Sequence, residues 1–271
     1  MSADVVAVES VELGGFPVEV WTINRPDKLN ALNGEVLLRL DREGRRLVDE
    51  LKANPTKIRA LILKGAGEKA FVAGADIAEM RDFTPAQAEA FSRLGQAAFG
   101  RLEELPIPTI AALKGFTLGG GLELAMGCDV LVATPQAEFG QPEAYLGLLP
   151  GFGATARFAQ RLGLGKALEL LYSGRRLKAD EALRLGLVQR LAADGEDVFE
   201  FAKKVALEFL TKSGPLALAR IKAVTRSASR EWVQRVCDAE AKAFGEIFAS
   251  DDKREGVAAF LEKRPAKFTG R

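Results

Sequence analysis

The first two-thirds of the chain alternates between short apolar runs and longer segments with helical spacing. Residues 18–23 alternate and are rich in Val, Ile and Trp, while residues 60–65, 109–113 and 130–134 are short and mainly apolar. Runs of the second kind are typical of strands buried on both faces of a sheet. Between the first two, residues 37–51 carry Leu and Val at helical spacing among charged residues. The pattern predicts buried strands separated by turns and helices.

Two further patterns predict helices. Thr84-Pro85-Ala86-Gln87 is typical of a capping box with proline at the first helical position, so we expect a helix from there to about Leu105. The last third, from about 198 to 260, is mostly helical in pattern and is broken once, at 213–215. Its apolar residues fit two interpretations, a helical subdomain with its own core or a subunit interface. These residues are Trp232, Val236, Phe244, Ile247 and Phe248.

Composition narrows the class of protein. The 271 residues are 48% hydrophobic and 28% charged with a formal net charge of +1, which is ordinary for a globular domain and disfavours nucleic acid or an anionic membrane as partner. No apolar stretch approaches the ~20 residues of a membrane span. The first ten residues include Asp4 and Glu9 and lack a basic start followed by an apolar run, so no signal peptide is expected. We expect a soluble cytoplasmic protein.

The absence of histidine restricts the chemistry. It excludes Ser-His-Asp and Cys-His nucleophile arrangements and histidine metal sites, so proton transfer falls to Glu, Asp, Lys, Tyr or Cys. The two cysteines, Cys128 and Cys237, are far apart and suggest neither a disulfide framework nor a zinc site. We expect two buried free thiols and no metal.

Two glycine-rich loops each follow a predicted strand, at 71–77 and 114–125. Three consecutive glycines allow close approach of the main chain to a ligand. A helix starting after Gly119 places Gly120 at its N-terminus, where free N–H groups and the helix dipole favour negative charge on an oxygen. Glu123 then lies in the first turn, either as a solvated residue that suits the dipole or, given its apolar neighbours, as a buried carboxyl with a raised pKa.

Glu143 follows Pro142, where it is either an exposed residue at a helix start or a second functional carboxyl. Residues 151–156 formally fit G-x-G-x-x-A, but they follow Leu-Leu-Pro rather than a long strand. A dinucleotide site is therefore disfavoured.

The order and spacing of these segments resemble the enoyl-CoA hydratase (crotonase) superfamily over nearly the whole chain. The matching motifs are Asn-Arg-Pro-Asp-Lys-Leu-Asn-Ala-Leu (24–32), Ala-Gly-Ala-Asp-Ile (73–77), Gly-Gly-Gly-Leu-Glu-Leu-Ala (119–125), Phe-Gly-Gln-Pro-Glu (139–143), Leu-Pro-Gly (149–151) and Asp-Asp-Lys-Arg-Glu-Gly (251–256). The resemblance implies an α/β fold, a spiral of ββα units over residues 1–197 with the active site, followed by a C-terminal helical trimerisation region over 198–271. It also implies a homotrimer or a homohexamer built from two trimers.

The resemblance further implies an enoyl-CoA hydratase, a hydro-lyase acting on an acyl-CoA thioester, with no cofactor beyond the coenzyme A of the substrate. The catalytic carboxyls match Glu123 and Glu143, and the thioester oxygen lies between the N–H groups matching Ala75 and Gly120. Retention of both carboxyls favours a hydratase over the isomerases of the superfamily. An RNA-binding relative is the alternative from another class, with Arg220, Lys222, Arg226 and Arg230 as its candidate basic patch.

The same resemblance suggests contacts with coenzyme A and the acyl chain. Those to coenzyme A and its thioester arm are Lys28, Leu29, Ala73, Asp76, Ile77 and Gly151. Lys28 is alternatively a solvated turn residue. Lys263 or Lys267 is a candidate for the phosphates, and Met80 and Phe83 border either the acyl chain or the core.

Overall fold

The computed structural model describes residues 4–271. Residues 1–3, the start of the segment in which no signal peptide is expected, lie outside that part. A six-stranded sheet has the order β1 (Val6–Leu13), β2 (Phe16–Ile23), β3 (Ala60–Gly65), β5 (Thr109–Leu113), β7 (Val130–Ala133) and β10 (Arg190–Leu191). β1 is antiparallel to β2, and the other neighbours are parallel. The four strands expected from the apolar runs are therefore confirmed.

A smaller sheet explains how the chain forms a spiral. It has the order β4 (Ala70–Val72), β6 (Phe116–Leu118), β8 (Glu138–Gly140) and β9 (Leu177–Lys178). Each of the first three strands follows directly after a strand of the large sheet and precedes a helix, so the unit ββα recurs three times. The turn between β5 and β6 requires Gly115, which has φ +55° and where a Cβ would lie 2.1 Å from the Lys69 carbonyl oxygen.

Eleven α-helices and two short 3-10 helices complete the described chain. The 3-10 helices are Pro26–Lys28 and Glu143–Leu146. The α-helices are α1 (Gly34–Ala53), α2 (Ile77–Met80), α3 (Pro85–Glu104), α4 (Gly120–Gly127), α5 (Ala154–Leu162), α6 (Leu164–Ser173), α7 (Ala179–Arg184), α8 (Val198–Lys212), α9 (Pro215–Ser227), α10 (Arg230–Ile247) and α11 (Asp251–Glu262). The capping box is confirmed, because Thr84 and Gln87 exchange both bonds at the start of α3.

The large sheet is covered on both faces, as its apolar runs predict. One face packs against α1, α3 and α4 in the main core, which includes Leu61, Leu63 and Leu131. The other face packs against α8, where Val20 and Ile62 meet Val205. Both layers exclude water from the strands that carry the loops of the site.

The helical region begins at Val198 with α8 and is broken between α8 and α9, as expected. It packs on the rest of the chain, since α8 covers the sheet, α10 lies along α3, and Phe244 and Phe248 belong to the main core. α9 differs, because none of its residues is buried. The role of the helical region 198–271 in trimerisation stays a prediction, as does a domain boundary at residue 197.

The expectation of two buried free thiols is also met within residues 4–271. Cys128 and Cys237 are buried and form no disulfide. In the same part of the chain, no helix combines the length and the apolar character that crossing a membrane requires.

Candidate active site

A cavity of about 470 Å³ opens where the loops after β4, β6 and β8 meet. Its lining is mostly apolar and includes Leu118, Leu146 and Phe244. Glu123 and Glu143 are the two carboxyl groups that line it, together with the backbone of the glycine-rich loops. A mostly apolar cavity with a few converging polar groups is the usual form of a small-molecule site.

The three consecutive glycines each have a separate steric reason. Gly119 has φ +49°, and a Cβ there would lie 2.8 Å from a carboxyl oxygen of Glu143. A Cβ at Gly120 would lie 3.0 Å from the ring of Phe152, and one at Gly121 would lie 2.1 Å from the carbonyl oxygen of Val72. The glycine run therefore lets α4 begin directly against β4 and beside the second carboxyl.

Glu123 is buried, not solvated, as are all eight residues of α4. It is 1% exposed, and its Oε1 accepts from the backbone N–H groups of Phe152 (2.8 Å) and Ala154 (2.9 Å). Within residues 4–271 its Oε2 has no hydrogen-bond partner, so this oxygen is free for a molecule in the cavity.

Glu143 lies at the start of the second 3-10 helix, with Pro142 before it. With the amide of Gln141 turned so that its nitrogen faces the carboxyl, Gln141 donates to both carboxyl oxygens, at 2.9 and 3.0 Å. Gln141 is itself buried. It therefore binds Glu143 from the protein interior, while Glu143 lines the cavity. Sequence reasoning quoted Gln141 in a motif but gave it no role.

Both carboxyls bind protons more tightly than usual. The pKa of Glu123 is raised well above its usual value, by burial first and then by the negative charges of Glu240 and Glu143, and its two backbone hydrogen bonds oppose this. Burial, together with the charge of Glu240, raises the pKa of Glu143 to about 8. Because close carboxyls titrate as a unit, the pair can hold one proton and one negative charge near neutral pH.

Two residues that line the same cavity, Ala75 and Gly120, have backbone N–H groups without an acceptor among the described residues. Ala75 forms a parallel bridge with Leu32, in which Asp76 N donates to Leu32 O (2.8 Å) and Leu32 N donates to Gly74 O (2.9 Å). That pattern leaves the N–H of Ala75 directed away from Leu32. Gly120 is the first residue of α4, and neither its N–H nor that of Ala75 has an acceptor within the described residues. The arrangement suits a developing negative charge on an oxygen.

The residues suggested for coenzyme A separate into two groups. Leu29, Ala73, Ile77 and Gly151 line the cavity. Lys28 is exposed outside its lining, and the carboxyl of Asp76 pairs instead with Arg25 at 3.0 Å. That pair joins the loop around Lys28 to the start of α2.

The residues suggested for the acyl chain and for the phosphates also separate into those that line the cavity and those that do not. Met80 lines the cavity, whereas Phe83 packs edge-on against Phe91, with 5.5 Å between ring centroids. Neither Lys263 nor Lys267 is among the residues that line it, and Lys267 N donates to Glu255 (2.8 Å).

The proposed basic patch is largely neutralised. Lys222 pairs with Asp129 at 2.7 Å, and Arg226 pairs with Asp129 at 3.0 Å and with Glu103 at 3.2 Å. These cations hold helix ends inside the protein, because Lys222 also donates to the carbonyl oxygen of Leu102 at the end of α3. The geometry gives no support to an RNA-binding surface there.

Sequence reasoning missed Glu240, a buried carboxyl on α10 beside the site. It accepts from the backbone N–H groups of Gly153 (2.6 Å) and Thr155 (3.0 Å). The signal in the sequence was weak, since a single Glu in a helical pattern normally faces solvent. No group of residues that could bind a metal ion occurs in the chain from 4 to 271.

Comparison with known proteins shows the family of the chain. The model of the family described as Enoyl-CoA hydratase/isomerase matches residues 17–271. The chain is 42% identical to the short-chain-enoyl-CoA hydratase of Clostridium acetobutylicum over 247 residues, 91% of this chain and 92% of the relative. It is 44% identical to the crotonyl-CoA hydratase of Syntrophomonas wolfei over 249 residues, 92% and 93% of the two chains.

A solved structure shows the same fold. The enoyl-CoA hydratase of Mycobacterium avium subsp. paratuberculosis K-10 superposes with a TM-score of 0.84 at 27% identity and covers 98% of both chains. The expected α/β spiral with a C-terminal helical region is thus confirmed. Since the family model covers nearly the whole chain and the relatives exceed 40% identity over more than nine-tenths of it, the protein belongs to the enoyl-CoA hydratase/isomerase family.

Proposed function

We propose that the protein is an enoyl-CoA hydratase, a hydro-lyase that reversibly adds water across the 2,3 double bond of a trans-2-enoyl-CoA thioester. The single observation that carries the proposal is the meeting of Glu123 and Glu143, both with raised pKa, beside two unpaired backbone N–H groups. The hydratase names of two relatives at 42% and 44% identity support it.

In the proposed mechanism the two carboxyls divide the proton transfers. Glu123 as carboxylate takes a proton from water while the water oxygen bonds to the β-carbon, and Glu143 as carboxylic acid gives its proton to the α-carbon. The free Oε2 of Glu123 is available for that water. Proton exchange within the pair then restores the starting state.

The N–H groups of Ala75 and Gly120 are assigned the stabilisation of the negative charge that develops on the thioester oxygen. Removing one such donor typically costs about 10²–10³ in rate. Coenzyme A enters and leaves as part of the substrate, so no separate cofactor is proposed. Its contacts are assigned to Leu29, Ala73, Ile77 and Gly151 along the cavity and to Lys28 and the backbone of Asp76 beside it.

We also propose that the active form is a homotrimer or a dimer of trimers. The support is α9, which has no buried residue and exposes the side chains of Leu216, Ile221 and Val224. An apolar helix face of this kind is typical of a surface that a second copy covers. A cytoplasmic location and a role in fatty-acid β-oxidation complete the proposal, and two buried free thiols fit a reducing compartment.

Product analysis with two substrates tests the reaction. With crotonyl-CoA the purified protein should form 3-hydroxybutyryl-CoA and consume the absorbance of the conjugated thioester. With a 3-enoyl-CoA it should form little 2-enoyl-CoA. Conversion of the 3-enoyl-CoA without hydration of crotonyl-CoA would identify an isomerase of the same family and contradict the proposal.

A further inference from the structure

The first turn of α5 has no side-chain cap from its own sequence, because its N-cap residue is Gly153. Its backbone N–H groups are instead divided between two distant carboxyls. Glu123 accepts from Phe152 and Ala154, and Glu240 accepts from Gly153 and Thr155. Four successive N–H groups thus alternate between α4 and α10.

Glu240 is fixed by further contacts. Its Oε2 also accepts from the hydroxyl of Thr155 (2.6 Å), and its Oε1 also accepts from the side-chain amide of Gln96 on α3 (3.1 Å). The residue is 4% exposed and is not among those that line the cavity. It therefore acts through other residues and not on the substrate.

The segment that Glu240 holds forms part of the cavity wall. Gly151 and Phe152 line the cavity, and the ring of Phe152 lies against Gly120. Gly153 has φ +107°, a conformation that glycine adopts without strain and that turns its N–H toward Glu240. Without the Glu240 carboxylate, the N–H groups of Gly153 and Thr155 lose their acceptors in a buried place.

We propose that Glu240 is a positioning residue for the hydratase reaction, holding the turn at residues 152–155 so that Glu123 keeps one oxygen bound there and presents the other to the cavity. The inference rests on the proposed function for its kinetic consequences but not for its structural one. Glu240 links the C-terminal helical region to the turn that binds Glu123 through three hydrogen bonds from residues 153 and 155, and a fourth from Gln96 fixes Glu240 to α3.

The charge of Glu240 has a second effect, since it raises the pKa of both Glu123 and Glu143. The groups that face Glu240 are these two carboxyls, Arg157 from α5 and Cys237 from its own helix, with the neutral Gln96 amide on α3. Removing the charge lowers the pKa of the catalytic pair. The alkaline limb of kcat/KM, where the pair loses its last proton, then moves to lower pH.

The test compares Glu240→Gln and Glu240→Asp with Glu43→Gln as the control. Glu43 is also a buried glutamate, but it lies on α1 and forms ion pairs with Arg39 and Arg46. With crotonyl-CoA, Glu240→Gln should lower kcat by about 10- to 100-fold, the cost of a misplaced catalytic group, with a smaller change in KM. Its alkaline limb should move to lower pH, whereas Glu240→Asp should lower kcat and keep the limb.

Hydrogen exchange separates this inference from the proposed function. Peptides that span 151–157 should exchange faster in both Glu240 variants than in wild type, and Glu43→Gln should leave them unchanged. If wild type fails to hydrate crotonyl-CoA, the proposed function fails while exchange still tests the positioning role. The inference is overturned if folded Glu240→Gln has the kcat and the pH profile of wild type. It is also overturned if hydrogen exchange of the 151–157 peptides is unchanged in both variants. If Glu240→Gln fails to fold, Glu240→Asp decides by its kcat and by the exchange of the 151–157 peptides, since its pH limb is expected to stay in place.

Discussion

At the scale of single residues, Glu143 shows which physical effect sets its protonation. A hydrogen bond from its own backbone N–H favours the ionised form. Burial and the charge of Glu240 favour the protonated form, and they prevail, since the pKa is raised to about 8. Glu143 can therefore hold the proton that the pair shares at neutral pH, as a general acid at the α-carbon requires.

The raised pKa predicts that Glu143→Gln stabilises the protein at alkaline pH. Folded Glu143 keeps a proton up to about pH 8, while the unfolded chain loses it near the usual 4.5. The stability that this proton contributes is complete below the unfolded pKa and declines as pH rises toward the folded one. The upper limit of that decline is about 1.4 kcal/mol per pH unit, and water entering the cavity reduces it.

Urea unfolding at pH 5 and pH 8 measures the effect. The advantage of Glu143→Gln over wild type in free energy of unfolding should be small at pH 5 and larger at pH 8. An equal difference at both pH values would show that the carboxyl is not held protonated in the folded protein.

The sequence predicts some of the buried carboxyls at the candidate site and not others, for a clear reason. The burial of Glu123 was predictable because its neighbours along α4 are apolar. Glu240 was missed because its acceptor role depends on Gly153, 87 residues away in the chain. The pairing of Asp76 with Arg25, 51 residues away, was hidden in the same way.

At the scale of elements, α4 carries the candidate active site at its N-terminus and is bound by a side chain at its other end. Arg161 donates to the carbonyl oxygens of Met126 (2.9 Å) and Cys128 (2.7 Å), where the last carbonyls of a helix attract cations. The N-terminus is free of side-chain caps, which leaves its N–H groups for a ligand. Because the C-terminus of α4 is fixed by Arg161, its N-terminus keeps its position beside the cavity.

Replacing Gly119 with Ala should distort the N-terminus of α4 without removing a functional side chain. The new Cβ would lie 2.8 Å from the carboxyl of Glu143, in a backbone conformation with φ +49°. We expect a loss of about 10- to 100-fold in kcat and a loss of roughly 1–2 kcal/mol in stability.

Gly100→Ala on α3 is the matched control, because a Cβ there meets nothing within 4 Å. It should keep full activity and gain about 0.5–1 kcal/mol in free energy of unfolding. Steady-state kinetics and thermal unfolding of both variants check the pair. Full activity of Gly119→Ala would contradict the assigned geometry.

The elements themselves were predictable in part. The runs that gave β3, β5 and β7 were correct because strands buried on both faces are continuously apolar, and β2 was correct because its residues alternate and are rich in Val, Ile and Trp. The small sheet was missed because β4, β6 and β8 have three residues each, too few to show a period. These short strands lie directly before the loops of the site, so sequence placed the loops but not their common edge.

At the scale of the whole molecule, α9 is the feature that a single copy leaves unexplained. Leu216, Ile221 and Val224 are 63–72% exposed on a helix with no buried residue. The other helices of the region pack inside the protein, α8 on the sheet, α10 on α3 and α11 on the 3-10 helix Glu143–Leu146. The proposed assembly would cover this face.

Light scattering after size-exclusion chromatography tests the assembly. Wild type should have a mass of three or six times 29.2 kDa. Combined replacement of Leu216 and Ile221 by Asp should lower that mass with helical circular dichroism retained. Leu38→Asp, at an equally exposed leucine on α1, is the control and should leave the mass unchanged. A wild-type monomer would contradict the proposal.

The central claim is that Glu123 and Glu143 act as one unit on a single water molecule, and a double-mutant cycle tests it most directly. The measurement is kcat for hydration of crotonyl-CoA by wild type, Glu123→Gln, Glu143→Gln and the double variant. Each single change should lower kcat by about 10²–10⁴, and the double variant should be little slower than the worse single one, because groups that act as a unit are not additive. Near-wild-type activity in either single variant, or fully multiplicative losses in the double variant, would contradict the claim.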